Sequence, residues 1–337
     1  MTTQPGLALV LGATGGIGGE VARQLRDAGW QVRALKRGLA HEEEQRDGFT
    51  WMRGDAMNRE DVRRAARGCA VIVHAVNPPG YRRWAELVLP MLENTVTAAI
   101  EQRATIVLPG TVYNYGPDAF PVLAEDSPQN PTTRKGAIRV QMERRLQAAT
   151  QQGARVIIVR AGDFFGPGSK TSSWFSQGVV KAGQPVTVVN LPGDPGVGHQ
   201  WTYVPDVART VVALLARRDA LEPFARFHMS GHWDADGTQL AKAIQRVVAR
   251  RTGKVPATRR FPWWLIRLAS PFVPTMREVL ELRYLWRQPL RLSNAHLVRE
   301  LGREPHTALD EAVEATLIGI GCLHEVAEPR HGSNYAI

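Results

Sequence analysis

Cysteine is scarce: Cys69 and Cys322 are the 2 among 337 residues. Each follows a glycine, and neither has a second cysteine or a histidine at metal-ligand spacing. This argues against a disulfide framework and a zinc or other metal motif, and for a reducing compartment, here the cytoplasm. Long apolar runs are missing as well, none approaching the ~20 residues of a membrane span. The opening MTTQPGLALVLGATGG lacks a basic n-region and its apolar stretch is short, so no secretory signal is expected. There is no internal repeat and no low-complexity segment. No recognised DNA- or RNA-binding module accompanies the net charge of +10. The cation excess therefore favours anionic small-molecule ligands over nucleic acid.

What is present is ordinary for a globular chain: 44% hydrophobic and 22% charged residues, enough for one large domain or two coupled lobes. The first half alternates short apolar runs with amphipathic stretches. Residues 7–11 read as a buried strand. Ile17, Val21, Leu25 and Ala28 then share one face of a helix. Further strands are expected at 30–35, 49–52, 70–75, 105–108 and 155–159, with helices at 61–66, 84–102 and 133–151. Such β–α repetition predicts an α/β fold built on a doubly wound, mainly parallel Rossmann-type sheet. Beyond residue 162 glycine and proline become dense. Short strands (186–189, 226–229) there alternate with helices (204–217, 236–250, 308–320). The expected organisation is a core of residues 1–165 with late elements from 186–230, and a smaller C-terminal substrate lobe from 166–185 and 231–330.

The run Gly12-Ala13-Thr14-Gly15-Gly16-Ile17-Gly18 lies where the first strand gives way to the first helix. Glycines there permit a tight turn and let a pyrophosphate approach the backbone, while the helix start offers free N–H groups and a positive dipole end. The spacing is Gly12-x2-Gly15-x2-Gly18 rather than G-x-G-x-x-G, so position after the first strand carries the assignment. At the end of the second strand, Ala34-Leu35-Lys36-Arg37-Gly38 offers two cations and no acid. An NAD-binding protein usually carries Asp or Glu there for the ribose hydroxyls, so Lys36 and Arg37 point to the 2′-phosphate of NADP(H). The alternative is a solvated basic loop. Asp55 and Ala56 follow the third strand, with Asp55 in a position to meet the adenine amino group. His74, Ala75 and Asn77 end the fourth strand beside the expected cofactor path. His74 reads equally as a buried, hydrogen-bonded core residue.

Together these segments resemble the extended or atypical short-chain dehydrogenase/reductase superfamily, which includes nucleotide-sugar epimerases and dehydratases. The resemblance runs over nearly the whole chain. Gly12, Gly15 and Gly18 are similar to its cofactor loop and Asp55 to its acidic residue after the third strand. Thr111-Val112-Tyr113-Asn114-Tyr115-Gly116 resembles the segment holding its catalytic Ser or Thr. The segments Arg160–Gly168, Trp201–Ala208 and Phe227–Gly231 resemble later stretches. It implies cofactor contacts from Gly12, Thr14, Gly15, Gly16, Ile17, Gly18, Lys36, Arg37, Asp55, Ala56, His74, Ala75, Asn77, Arg139, Ala161, Gly162 and Phe164. It also implies a homodimer through the long helices 84–102 and 133–151.

The superfamily's catalytic pair is Tyr-x3-Lys, with Glu four residues on. Anchored on Glu143, the Tyr position is Lys135 and the Lys position is Arg139; no tyrosine lies between Tyr115 and Tyr203. Arg139 would still hold the nicotinamide ribose, but its permanent charge cannot supply a proton. Lys135 would be the acid, with a pKa lowered by a nearby arginine and partial burial. Thr111 would hydrogen-bond the substrate oxygen, and Tyr113 or Tyr115 is the substitute donor. Equally, Lys135, Arg139 and Glu143 at i, i+4, i+8 would make a charged helix stripe with an Arg–Glu pair.

The leading expectation is an NADP(H)-dependent oxidoreductase acting on a small carbonyl or enone. A nucleotide-sugar epimerase or dehydratase is the alternative, and a catalytically degenerate NADP(H)-binding regulator the third reading. Between 259 and 291, arginines interleave with Trp263, Trp264, Phe272 and Trp286. That stretch reads as pocket wall, as a peripheral membrane-surface helix, or as lobe packing with a solvated basic face. Pro262, Pro271 and Pro274 break it into short pieces, which favours packing and pocket wall.

Overall fold

A computed structural model describes residues 4–78, 83–169 and 173–324. Parts of the expected core (1–3, 79–82) and lobe (170–172, 325–330) lie outside the described residues.

The N-terminal half runs β1 (Leu7–Leu11), α1 (Gly16–Asp27), β2 (Gln31–Lys36), β3 (Glu43–Arg46), β4 (Phe49–Arg53), α2 (Arg59–Ala66), β5 (Val71–His74), α3 (Trp84–Gln102) and β6 (Thr105–Gly110). Next come β7 (Val122–Leu123), α4 (Arg134–Thr150), β8 (Arg155–Arg160), β9 (Asp163–Phe165), β10 (Val188–Leu191), β11 (His199–Tyr203), α5 (Val204–Leu215) and β12 (Phe224–His228). The chain ends with β13 (His232–Asp234), α6 (Gln239–Thr252), β14 (Ala257–Arg260), α7 (Trp263–Ala269), α8 (Pro274–Glu281), β15 (Arg291–Leu292), α9 (Ala295–Leu301) and α10 (Leu309–Gly319).

Among the described residues the main sheet has 8 strands in the order β12-β8-β6-β5-β1-β2-β4-β3. Its neighbours pair in parallel except β3 with β4. The expected doubly wound Rossmann sheet is therefore present. β3 was not foreseen. It folds back through Asp47 and Gly48, both at positive φ (59 and 76), which suits the two-residue turn of a hairpin. Asp-Gly is the local signal that names such a turn, but the polar run Glu43–Arg46 lacks the apolar alternation that marks a strand.

Period-two alternation sends β1 side chains to opposite layers. Ala8 and Val10 join Val21, Leu25, Val207 and Val211 under α1 and α5. Leu9 and Leu11 join Leu92, Val96 and Leu146 under α3 and α4. A separate cluster, with Phe165, Phe175, Trp201, Ile244, Trp263, Trp286 and Val313, is the core of the C-terminal part. The late elements are tied to one another by small sheets. β9, β11 and β13 form one, β10 pairs with β14, and β15 returns to β7. Strand order reverses around β1, which lies between β2 and β5, so the ligand-binding crevice of this architecture falls at the carboxyl ends of β1 and β5.

Candidate active site

The glycine turn stands at that crevice. Gly12 has φ +90, and a Cβ there would lie 2.5 Å from the Ala75 carbonyl oxygen. A Cβ on Gly18 would lie 2.3 Å from the Gly12 carbonyl oxygen. Both positions therefore require glycine, one for its dihedral angle and both for close backbone approach. Gly15 donates its N–H to the Gly12 carbonyl at 2.9 Å and precedes α1 with no side chain capping that helix. The first-turn N–H groups are thus left for a ligand, and an anion is the ligand they favour. Thr14 and Gly15 are exposed, and Gly16 and Ile17 half-buried. The turn fits a dinucleotide pyrophosphate.

At the tip of β2, the Lys36 ammonium lies over the Trp51 ring, 5.8 Å from its centroid. Arg37 is 79% exposed and sits 3.8 Å from Asp55, itself 40% exposed. Such an open ion pair is worth little and yields readily to a stronger anion. Asp55 also accepts the Met57 N–H, holding the turn that contains Ala56. Asn77 is exposed and accepts from the Trp84 indole at 2.7 Å. Ala75 and Phe164 are half-buried, Ala161 and Gly162 buried.

His74 is buried. Thr95 donates its hydroxyl hydrogen to the Met91 carbonyl, so its oxygen accepts from His74 Nδ1 at 2.8 Å. That fixes the tautomer and leaves the lone pair on Nε2, which has no hydrogen-bond partner among the described residues. Burial, aided by the Arg139 charge, lowers its pKa to about 3, so the ring stays neutral.

Residues 111–116 and the start of α4 form the next part. The hydroxyl of Thr111 is buried and likewise has no partner among the described residues. Thr133 caps α4 by accepting the Gly136 N–H at 3.0 Å. Lys135, in the first turn of that helix, is 1% exposed. Its ammonium donates to the Glu278 carbonyl at 2.8 Å and pairs with the Glu278 carboxylate at 3.0 Å. Burial lowers the Lys135 pKa, and the bonds to Glu278 oppose it. The partner that distinguishes this lysine thus comes from α8, 143 residues away. No spacing in the sequence reveals it. One turn on, the Arg139 guanidinium stacks over the Trp84 ring at 5.1 Å. Tyr113 is half-buried and packs against the apolar cluster of Val112, Leu282 and Leu285.

Glu143 is not on a solvated stripe either. It is buried, pairs with the fully buried Arg160 at 2.6 Å, and accepts from Asn114 and Gln129. Arg160 also donates to the Thr111 carbonyl, the Asn114 side chain and His228 Nε2. The Tyr115 hydroxyl donates to the same His228 nitrogen at 3.2 Å, with His228 Nδ1 turned to the Leu123 carbonyl. Tyr115 is spent in this network, and burial raises its pKa, so it holds structure rather than moving protons. The network pins the 111–115 segment to α4, β8 and β12.

In the C-terminal part, a cleft of about 490 Å³ is lined by Arg267, Arg283, Arg287, Glu281, Tyr284 and Gln288. It adjoins the start of α4, where Glu281 accepts the Arg134 N–H at 3.3 Å. A second hollow, walled by His199, Trp201 and Trp286, has about 20 Å³, room for one water-sized molecule only. Asp206, His232 and His306 bring ligand-type atoms within 4.8 Å of one another. The Asp206 carboxylate, however, already accepts from the Thr307 N–H, the Thr307 hydroxyl and Arg209, whose fixed charge opposes a cation. We read it as the latch between α5 and the segment before α10.

An uncharacterized protein of Sinorhizobium fredii, y4nL, is 29% identical over 205 residues, an alignment that spans 55% of this chain and 58% of that relative. The chain thus covers less than two thirds of the relative's length. Among solved structures, the UDP-glucose 4-epimerase of Brucella ovis in complex with NAD matches with a TM-score of 0.71 at 15% identity, over 94% of this chain and 99% of that one. The UDP-glucose 4-epimerase of Bifidobacterium longum in complex with NAD+ and UDP gives 0.67 at 15% identity, over 92% and 97%. At these identities the likeness is one of fold. The model of the NAD dependent epimerase/dehydratase family matches residues 8–229, from β1 to the end of β12. The chain belongs to the NAD dependent epimerase/dehydratase family.

Proposed function

We propose that the chain acts on a nucleoside-diphosphate sugar with a nicotinamide dinucleotide bound at the glycine turn, rather than on a small free carbonyl compound. The observation that carries this reading is the arginine-lined cleft beside the start of α4. A small aldehyde or enone has no use for three guanidinium groups, whereas a diphosphate is matched by their planar, two-pronged donors. The family match and the likeness in fold to the Brucella and Bifidobacterium UDP-glucose 4-epimerases support the same substrate class. In this reading residues 1–165 with 186–230 bind the dinucleotide, and 166–185 with 231–330 bind the sugar nucleotide. We further infer a cytoplasmic homodimer through α3 and α4, which light scattering tests.

Gly12, Thr14 to Gly18, Asp55, Ala56, Ala75, Asn77, Ala161, Gly162 and Phe164 would hold the cofactor. Lys36 and Arg37 favour its 2′-phosphorylated form, since no acid stands there to select NAD. When bound, a nicotinamide dinucleotide supplies a reversible hydride acceptor. The residues of the chain supply the rest. Thr111 has a buried hydroxyl to hold a sugar oxygen. Lys135, neutralised more easily by its burial and steadied by Glu278, takes and returns the hydroxyl proton. Arg139, stacked over Trp84, holds the ribose; the lowering of the Lys135 pKa comes from burial and not from a neighbouring arginine.

The test is product analysis by NMR after incubation with NADP+ or NAD+ and a panel of UDP-sugars. The expected result is a new sugar nucleotide in the wild type, with kcat lowered ~100-fold or more by Lys135→Ala. No conversion of any sugar nucleotide, together with oxidation of NADPH by small aldehydes or enones, would overturn the proposal.

A further inference from the structure

The Arg/Trp-rich stretch divides into two faces, and the sugar-nucleotide reading accounts for only one. Trp263 turns inward, buried, and donates its indole N–H to the Pro192 carbonyl at 2.7 Å. Ile266 packs against the same core. The outward face of α7 and the turn after it is apolar. Trp264 and Leu268 are each 67% exposed, and Phe272 is 83% exposed. Leu265 and Val273 join them. The spacing 264, 268, 272 follows the helical repeat, and the helical bonding continues past Ala269, whose carbonyl accepts from Phe272 and Val273. Single exposed apolar side chains are ordinary, but a contiguous row of large ones marks a contact surface.

Along the chain, the charges that flank this row have one sign. From Gly237 to Arg277 the chain contains no aspartate or glutamate. Arg259 and Arg260 lead into α7, and Arg277 follows on α8; each is exposed. No helix among the described residues is long and apolar enough to cross a membrane. The surface can therefore lie on a bilayer but not span it. A second copy of the chain is the poorer occupant, because a two-fold contact here would set the same arginines against one another. An anionic bilayer satisfies both halves of the surface. Tryptophan, phenylalanine and leucine enter the headgroup–acyl boundary, and arginine reaches lipid phosphates.

We propose that the α7 face, through Trp264, Leu265, Leu268 and Phe272 with the flanking arginines, docks the protein reversibly onto an anionic membrane surface. This goes beyond the sugar-nucleotide reading and stands without it. The experiment is co-sedimentation of the full chain with vesicles of phosphatidylcholine alone or with roughly a quarter phosphatidylglycerol. It is run beside the Trp264→Ser/Leu268→Ser/Phe272→Ser variant, whose thermal midpoint and circular dichroism report retained folding. The wild type is expected to bind the phosphatidylglycerol vesicles, to release as salt rises, and to bind phosphatidylcholine about tenfold more weakly or worse. The triple variant, folded, is expected to lose vesicle binding by about tenfold or more. Equal vesicle binding by the wild type and the folded variant overturns the proposal. So does a wild type that ignores phosphatidylglycerol vesicles, including one that self-associates where the variant does not.

Discussion

Glu143 and Arg160 exemplify what one residue decides here. The guanidinium is fully buried and its charge is balanced by one carboxylate at 2.6 Å. Removing a partner from such a pair leaves an uncompensated buried charge, which costs ~3–5 kcal/mol. Glu143→Ala should therefore destabilise the protein by about that amount in a urea titration, although it touches no proposed ligand. The histidines make a second prediction. His74 has a folded-state pKa of about 3 against an ordinary 6.5, so the unfolded chain takes its proton first. Its contribution to stability is complete above pH 6.5 and is lost as pH falls from there toward 3, by ~2 kcal/mol at pH 5. Burial lowers His228 and His232 in the same direction. Stability measured from pH 7 to pH 5 should decline steeply, and His74→Asn should flatten that slope. At this scale the sequence is readable where chemistry is local. Gly12, Gly15 and Gly18 announce a turn because the positive φ of Gly12 and the approach of Gly15 and Gly18 to its carbonyl lie within one short segment. The partner of Lys135 stands on α8, and that of Glu143 on β8, so neither pairing has a local signature.

Among the elements, β1 and α1 carry the most consequence, because the turn between them holds its shape by backbone contact. Gly18→Ala would put a methyl 2.3 Å from the Gly12 carbonyl oxygen, and backbone cannot step aside as a flexible side chain can. The strand and helix would have to part. The expected outcome is a lower thermal midpoint and affinity for the nicotinamide dinucleotide weakened by about tenfold or more in a fluorescence titration. Unchanged affinity would mean the dinucleotide is held elsewhere. Apart from β3 and β7, the strands and helices of the Rossmann half were legible because each buries a regular face, giving periods of two or 3.6. β9, β11, β13 and β14 were not. They are short, Gly/Pro-flanked and paired with strands distant in sequence, so register and partner come from tertiary packing. The 259–291 segment was half legible: its buried tryptophans serve packing as expected, whereas the exposed row on α7 becomes visible only once the inward face is known.

Over the whole molecule, two chemical environments meet at the start of α4. The Rossmann half brings a backbone cradle, a buried Thr111 hydroxyl and the unmatched Nε2 of His74. The C-terminal part brings Glu278 to Lys135 and an arginine-lined cleft beside it. Cofactor binding alone would be served by the first half. The cation-rich cleft is what favours the proposed anionic substrate over a small carbonyl compound. The most direct test is the nicotinamide absorbance of the wild-type protein, loaded with oxidised dinucleotide and mixed with UDP-sugars, free sugars or small alcohols. Reduced nicotinamide should appear with a UDP-sugar and fail to appear with the free sugar or the alcohol. Reduction by small alcohols while every UDP-sugar stays inert would contradict the account.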